Sequence, residues 1–152
     1  WKTRVSIDYD HASGDKPGGA YGRFDTLFGM RRADLAPAGL YNAILRSNVI
    51  SAGPRIETQP NRRTDLMATV HAMWLAARAD AFSATGVRDA MGRSGSFAGT
   101  QFDARLRHEL LEWLRLEANV VVFVKGRFPR EAPNAPAGRF SRYVSLNATA
   151  WF

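Results

Sequence analysis

Residues Arg4–Asp15, RVSIDYDHASGD, allow two interpretations: a calcium-binding loop, or a strand that runs into a loop. A helix–loop–helix calcium site needs oxygen ligands at its first, third and fifth positions, Gly at the sixth and Glu at the twelfth. Counted from Asp8, the last three of these positions hold Ala12, Ser13 and Gly19. The calcium site is therefore excluded.

The residues around this stretch alternate between apolar and polar side chains, which is the period of a β-strand. One face carries Trp1, Thr3, Val5, Ile7 and Tyr9, and the other carries Lys2, Arg4, Ser6, Asp8 and Asp10. A Gly-rich segment, SGDKPGGAYG, follows at once, as is typical where a strand ends. The sequence therefore predicts a first strand over residues 1–10.

Five further strands are predicted along the chain. They cover residues 43–57, 66–82, 101–111, 114–126 and 139–152. The connections between the six strands alternate between long and short, and the long ones include residues 11–40 and 83–99. Membrane β-barrels combine long external loops with short periplasmic turns. On that pattern both ends of the chain lie on the periplasmic side.

The fourth and fifth predicted strands each have a charged face and an apolar face. The charged face holds Gln101, Asp103, Arg105, Arg107 and Glu109 on one strand, and Arg115, Glu117, Asn119, Val121, Phe123, Lys125 and Arg127 on the next. The residues between them are almost all apolar. A charged face opposite a wholly apolar one suits a wall between water and lipid.

Composition narrows the possible functions. The formal charge is +7, from 21 Lys and Arg against 14 Asp and Glu, which favours an anionic partner. With no Cys, the chain has no thiolate metal site and no disulfide. The three His residues are not closely spaced, and no GxSxG or phosphate-loop motif is present. We therefore predict no enzyme activity, no metal and no cofactor, and the absence of any nucleic-acid-binding signature disfavours nucleic acid as a partner.

Two of the predicted strands also fit a helical period. Residues 102, 106, 110 and 113 are spaced for one helix face, and residues 66, 70, 74, 77 and 81 for another. Periodicity alone leaves helix and strand evenly matched there. A soluble, basic α+β binding domain therefore remains an alternative to the barrel.

Several motifs resemble those of the alginate-export porins of the Gram-negative bacterial outer membrane. In chain order they are VSIDYDHASGD, GRFDTLFGMRR, NVISAGPRIETQP, VHAMWLAARADA, GRSGSFAGT and RLEANVVVFVKGRF. The resemblance implies an all-β fold, a transmembrane antiparallel barrel of eighteen strands. About six strands fit in this chain, because each crosses the bilayer with ~9–11 residues. Residues 1–152 are therefore expected to be the C-terminal portion of a single barrel domain.

The resemblance also implies a function, the passive and anion-selective passage of an acidic polysaccharide such as alginate through a lumen lined by arginine. Carried onto this sequence, the pore-lining residues are Arg4, Arg55, Arg105, Arg107, Lys125, Arg127, Asp8, Asp10, Asp103 and Glu109. Glu57 and Glu117 share these faces, and the acids are expected to hold the arginines in place. A general small-solute porin of the same architecture is the alternative.

The last residues of the chain resemble the closing strand of outer-membrane barrels. Val144, Leu146, Ala148 and Ala150 alternate with polar residues, and the chain ends on Phe152. In that class the closing strand is read by the barrel-assembly machinery. We therefore expect three partners: this machinery, outer-membrane lipid and the anionic polysaccharide.

Overall fold

The computed structural model describes residues 1–25, 35 and 44–152. These residues form one antiparallel sheet and a single short helix, so the fold is all-β as predicted. In chain order the elements are β1 (Lys2–Ala12), β2 (Val49–Asn61), β3 (Thr64–Trp74), β4 (Phe97–Leu111), β5 (Leu114–Lys125), α1 (Phe128–Glu131) and β6 (Phe140–Ala150).

Each strand pairs with its neighbours in the chain, so the strand order of the sheet is the order of the sequence. Among the described residues the sheet is not closed, and β1 and β6 are its outer strands. Short turns join β2 to β3 and β4 to β5, whereas the other connections are long, as predicted. The arrangement is consistent with part of an antiparallel barrel.

The α+β alternative is wrong, because neither segment with a helical period forms a helix and most of each lies in a strand. Residues 102–111 lie in β4, and residues 66–74 lie in β3. From Gly99 to His108, β4 is paired on both sides, with β3 and with β5. Pairing of the backbone on two sides overrides a helical preference that is only local.

The predicted third strand is too long, since β3 ends at Trp74 and not near Phe82. Residues 75–82 leave the sheet because buried polar groups bind their backbone. The side chain of Asn48 accepts a hydrogen bond from the amide of Ala77, at 2.7 Å, and donates one to the carbonyl of Ala81, at 2.9 Å. Asn48, which is distant in sequence, therefore holds the chain outside the sheet after the end of β3.

Other strand limits differ by a few residues. The first strand continues to Ala12, and the second begins at Val49, because residues 44–48 are not in a strand; residue 43 lies outside the described residues. β4 begins at Phe97, four residues earlier than predicted, since the backbone from there already pairs with the end of β3. The fifth and sixth strands end at Lys125 and Ala150.

The two faces of the sheet differ in exposure. On the apolar face large side chains are open, with Ile7 83% and Leu146 80% exposed. The hydrophobic core lies instead on the opposite face, near the long loops. There Val49, Met73 and Phe123 of the strands pack with residues of the loops, among them Leu35, Ile44, Phe82, Val87 and Phe128. The long loops therefore fold over the polar face of the sheet at one end.

Candidate functional site

One face of the sheet carries nearly all of its charged strand residues, and we call it the polar face. Strand register places these residues opposite one another: Arg4 faces Glu57, and Arg107 faces both Asp65 and Glu117. The same alternation places Ile56, Ala68, Ala104 and Val120 in one row on the other, apolar face. Because the side-chain period of a strand is two, the pattern read from the sequence fixes both faces.

Four arginines of the polar face form ion pairs with acids on adjacent strands. Arg4 Nε donates to Glu57 at 2.9 Å, Arg55 Nε lies 2.8 Å from Asp8, and Arg105 donates to Asp65 at 2.7 Å. Arg107 is hydrogen-bonded to Glu117. These are cross-strand contacts between direct or diagonal neighbours, which hold each guanidinium in a defined position.

The polar face is balanced in charge. Its strand positions carry seven cations, Lys2, Arg4, Arg55, Arg105, Arg107, Arg115 and Lys125. They also carry seven acids, Asp8, Asp10, Glu57, Asp65, Asp103, Glu109 and Glu117. The net charge of +7 therefore does not come from the polar face but from the loops, the turns and Arg142, which lies on the other face of β6.

Nine of the ten residues predicted to line the pore lie at polar-face positions of a strand, and Arg127 does not. β5 ends at Lys125, and Arg127 is the N-cap residue of α1. There its Nε donates to Glu131 at 2.7 Å, and both side chains are exposed. The strand stops because the chain turns into a helix, with Pro129 in its first turn, where a missing N–H costs nothing.

Two more of the nine residues, Lys125 and Asp103, form hydrogen bonds with other groups of the protein. The ammonium group of Lys125 donates to the carbonyl oxygens of Pro136 and Ala137, at 2.9 and 3.0 Å. Asp103 is buried and accepts hydrogen bonds from Thr69, at 2.7 Å, and Gln101, at 3.0 Å. Both side chains hold the fold together where an open pore wall was expected.

A pocket at the end of the sheet near the short turns contains residues that the sequence did not single out. It has a volume of about 200 Å³ and is lined by Arg62, Arg63, Arg107 and Arg115 together with Asp65 and Glu109. Neither Arg62 nor Arg63 was predicted to be functional, because a charged pair in a turn is usually only solvated. Only the register brings the turn beside β4 and β5.

At the opposite end, polar contacts hold the long loops on the sheet. Arg23 forms an ion pair with Asp80 at 2.9 Å and donates to Ser47 at 2.6 Å. In the loop before β4, Asp89 accepts hydrogen bonds from the hydroxyl and amide of Ser94, at 2.7 and 2.8 Å. These bonds, with further ones from backbone amides, lower the pKa of Asp89 from its ordinary value.

The described residues contain neither a helix that could span a membrane nor a cluster of metal-binding side chains. None of their helices has the length and hydropathy that a membrane span requires. Within the same part of the chain, no three His, Asp or Glu side chains are grouped so that they would hold a metal ion.

Comparison with known proteins gives one result. The family model described as alginate export matches residues 1–141, nearly the whole chain. No curated protein and no solved structure matches the chain significantly. The family consists of polysaccharide-export porins of the bacterial outer membrane. With its all-β antiparallel sheet and its match over nearly all residues, the chain belongs to the alginate-export family.

Proposed function

We propose that this chain forms part of the wall of an outer-membrane porin that passes an anionic polysaccharide, an alginate-like polyuronate. One observation carries the proposal: the sheet has a face that is apolar over most of its area, with Arg142 as the one arginine among its described residues, opposite a face of paired arginines and acids. In this proposal the apolar face meets outer-membrane lipid and the polar face meets the aqueous lumen.

The exposure of the apolar face supports contact with lipid. Val5, Ile7, Val144 and Leu146 are each at least 65% exposed, although they stand in the middle of regular strands. A protein surrounded by water rarely leaves so large an apolar patch open. In a membrane barrel such residues contact the acyl chains. Each strand of such a barrel alternates between apolar residues that face lipid and polar residues that face the lumen, as the strands do here.

The paired arginines support passage of a polyanion without trapping it. A guanidinium binds a carboxylate through two parallel hydrogen bonds, and four of the five arginines of the polar face already form an ion pair with an acid. A passing carboxylate competes with that acid, so each contact is weak and is exchanged readily. Transport needs many such moderate sites, because a single tight site would hold the polymer.

The same balance of charge favours a second candidate, a general small-solute porin of the same architecture. Seven cations opposed by seven acids produce little net field along the strand wall. A wall of this kind conducts small ions of either sign. The two candidates differ in whether a polyuronate binds inside the pore.

We further propose that the six strands belong to a larger barrel, of eighteen strands in the family's architecture. In the part of the chain that the structure describes, β1 and β6 each have one paired edge and one edge open to a further strand. An open edge is a template for pairing, and a barrel removes it. As the last strand of the sheet, β6 is the element offered to the assembly machinery. Experiments on function therefore use the complete barrel protein.

The test is current block in a planar bilayer that contains the complete barrel. A polyuronate is added on one side, and a neutral glucan of equal length serves as the control. We expect block by the polyuronate alone, together with anion preference in the reversal potential. Equal block by both polymers supports the general porin, and cation preference contradicts the polyanion pathway.

A paired variant locates the conducting face. Replacing Arg105→Gln and Arg107→Gln leaves Asp65 and Glu117 without their partners, so anion preference falls. Adding Asp65→Asn and Glu117→Gln restores the balance and with it much of the original selectivity. If the reversal potential is the same in all three proteins, the polar face does not line the conducting path.

A further inference from the structure

We infer that the pocket near the short turns is a capture site for the carboxylates of the transported polyanion. We call it the turn-end pocket, lined by Arg62, Arg63, Arg107, Arg115, Asp65 and Glu109. The inference rests on the proposed function, and it goes beyond it by assigning the first contact with the polymer to particular residues at one end of the sheet.

The backbone holds the turn-end pocket in a fixed shape. The carbonyl oxygen of Arg63 accepts a hydrogen bond from the amide of Glu109, at 2.8 Å, so the turn between β2 and β3 is tied to β4. The side chain of Asn61 accepts from the amide of Arg63, at 2.9 Å, which stabilises the turn itself. Two adjacent arginines are therefore presented from an ordered turn.

The cations of this pocket are less compensated than those of the strand wall. Arg62, Arg63 and Arg115 form no ion pair with any carboxylate of the described residues. Asp65 is bound to Arg105, and Arg107 is bound to Glu117. Three guanidinium groups without an ion pair thus line the pocket together with one acid, Glu109, that has no bonded cation in the same part of the chain.

The guanidinium of Arg115 is also positioned by a ring. It lies over Trp151, with 4.9 Å between its carbon atom and the ring centroid. The amide of Trp151 donates to the carbonyl of Trp113 at 2.9 Å, which ties the ring to the hairpin of β4 and β5. A cation held over an aromatic face keeps its charge and its N–H edges available for an anion.

The size and place of the pocket match one carboxylate-bearing sugar unit of a longer chain. At about 200 Å³ it is smaller than the roughly 300–1,000 Å³ of pockets that enclose a small molecule. It lies on the polar face at the end that carries both chain termini. In the proposed orientation this is the periplasmic end, where an exported polymer arrives. Clustered positive charge there raises the local concentration of the polymer.

The experiment compares two double variants of the complete barrel that remove equal charge from opposite ends. Arg62→Gln/Arg63→Gln alters the turn-end pocket. Arg78→Gln/Arg93→Gln removes two exposed arginines from the long loop between β3 and β4. The readout is the concentration of a uronate oligosaccharide that blocks half of the current, with the sugar added from either side of the bilayer. Migration on an unheated gel shows that each variant is folded.

We expect the turn-end variant to raise the half-blocking concentration by about tenfold when the sugar is added from the turn side. When the sugar is added from the loop side, the half-blocking concentration is expected to change by less than about twofold, since Arg62 and Arg63 lie far from that end of the pore. The loop-end variant is expected to leave block from the turn side unaltered. A turn-end variant that is blocked like the unmodified protein overturns the inference, as does an equal shift in both double variants.

Failure of the inference is distinct from failure of the proposed function. If the oligosaccharide blocks the unmodified pore and the turn-end variant equally, a polyanion pathway exists without this capture site. If the unmodified pore conducts small ions but is never blocked by the uronate, the polyanion function itself is wrong, and the capture site with it.

Discussion

The strand wall and the loops at its far end are stabilised in different ways. In the strand wall, β1–β6, each residue lies opposite a neighbour given by a regular register, and charges are paired across adjacent strands. The loop cap consists of the described residues 13–25, 44–48, 75–96 and 126–139. There, single buried polar side chains hold segments that are distant in sequence. A repeated pattern therefore specifies the wall, and individual contacts specify the loop cap.

Asn48 shows how the loop cap depends on one side chain. It is fully buried, and its φ of 47° lies in the left-handed region that asparagine tolerates better than most residues. Its amide group donates to the carbonyls of Ala77 and Ala81, at 3.0 and 2.9 Å, and accepts from the amide of Ala77. Asn48 directly precedes β2, and it thereby fixes the segment that follows β3.

The largest expected effect is at Gly99, where the strand wall meets the loop cap. Gly99 has a φ of 145°, and a Cβ atom there would lie 2.2 Å from the carbonyl oxygen of Val124. Because the carbonyl oxygen belongs to the backbone of a paired strand and cannot move aside, Gly99→Ala is expected to cost about 4 kcal/mol of unfolding free energy. The measurement is the urea concentration at half unfolding of the complete barrel in lipid vesicles.

The control for that substitution is Gly18→Ala. Gly18 also has a positive φ, 75°, but no atom lies within 4 Å of its Cβ position. It is expected to cost about 1 kcal/mol, from backbone strain alone. Equal effects at Gly18 and Gly99 would mean that strain, and not the close approach of two strands, makes glycine necessary at Gly99.

The next largest effect is expected on β6, where two adjacent residues point to opposite faces. Leu146 belongs to the apolar face and Asn147 to the polar face, and both are exposed. Leu146→Arg is expected to cost about 3 kcal/mol in a bilayer, since a charge is placed in the hydrocarbon. Asn147→Arg is expected to cost little. The same unfolding measurement checks both, and a larger loss for Asn147→Arg would reverse the assignment of the faces.

A moderate effect is expected for Asn48→Ala, which tests the loop cap. Its loss leaves the amide of Ala77 and the carbonyl of Ala81, both partly buried, without a bonded partner, at an expected cost of about 2 kcal/mol to local stability. Hydrogen exchange of the Ala77 amide reports the change. Asn134→Ala is the control, because Asn134 also bonds two loop backbone groups but is exposed, so water replaces it. In each variant, hydrogen exchange is measured at the backbone amide that the asparagine binds. Equal acceleration of that exchange in both variants would contradict the role of burial.

The smallest effect is expected at Asp89. Its lowered pKa means that the folded loop favours the charged carboxylate. Its stabilising effect is therefore complete above the ordinary pKa of about 4 and is lost as pH falls through the lower, folded pKa. We expect Asp89→Asn to accelerate hydrogen exchange of the Ser94 amide near neutral pH. At a pH below the folded pKa of Asp89, the exchange rate of this amide is expected to be the same in the variant and in the unmodified protein. A difference that persists unchanged in acid would show that charge is not the cause.

The sequence predicted the strand wall well because the wall depends on local information. Alternation with a period of two identified six strands and both faces, and the short turns identified which strands are neighbours. It also placed nine of the ten expected pore-lining residues at polar-face positions. Arg127 was misplaced because alternation continues past Lys125 although the backbone has already turned into α1.

The loop cap and the turn-end pocket were beyond prediction from the sequence for a physical reason. Asn48, Arg23 and Asp80 are ordinary polar residues in their local context, and their importance comes from partners dozens of residues away. Arg62 and Arg63 likewise acquire a setting only when register places β4 and β5 beside their turn. Long-range pairing of this kind leaves no period in the sequence.

The neighbour-only order of the sheet has a mechanical consequence. Among the described residues each strand is bonded only to its neighbours in the chain, so a force on the end of the chain separates β6 from β5 one residue pair at a time and does not shear the whole sheet at once. The hairpin of β4 and β5 is then the next unit to open. Stepwise extraction from a bilayer should therefore follow the order of the sequence backwards, with each long loop marking the pause between one hairpin and the next.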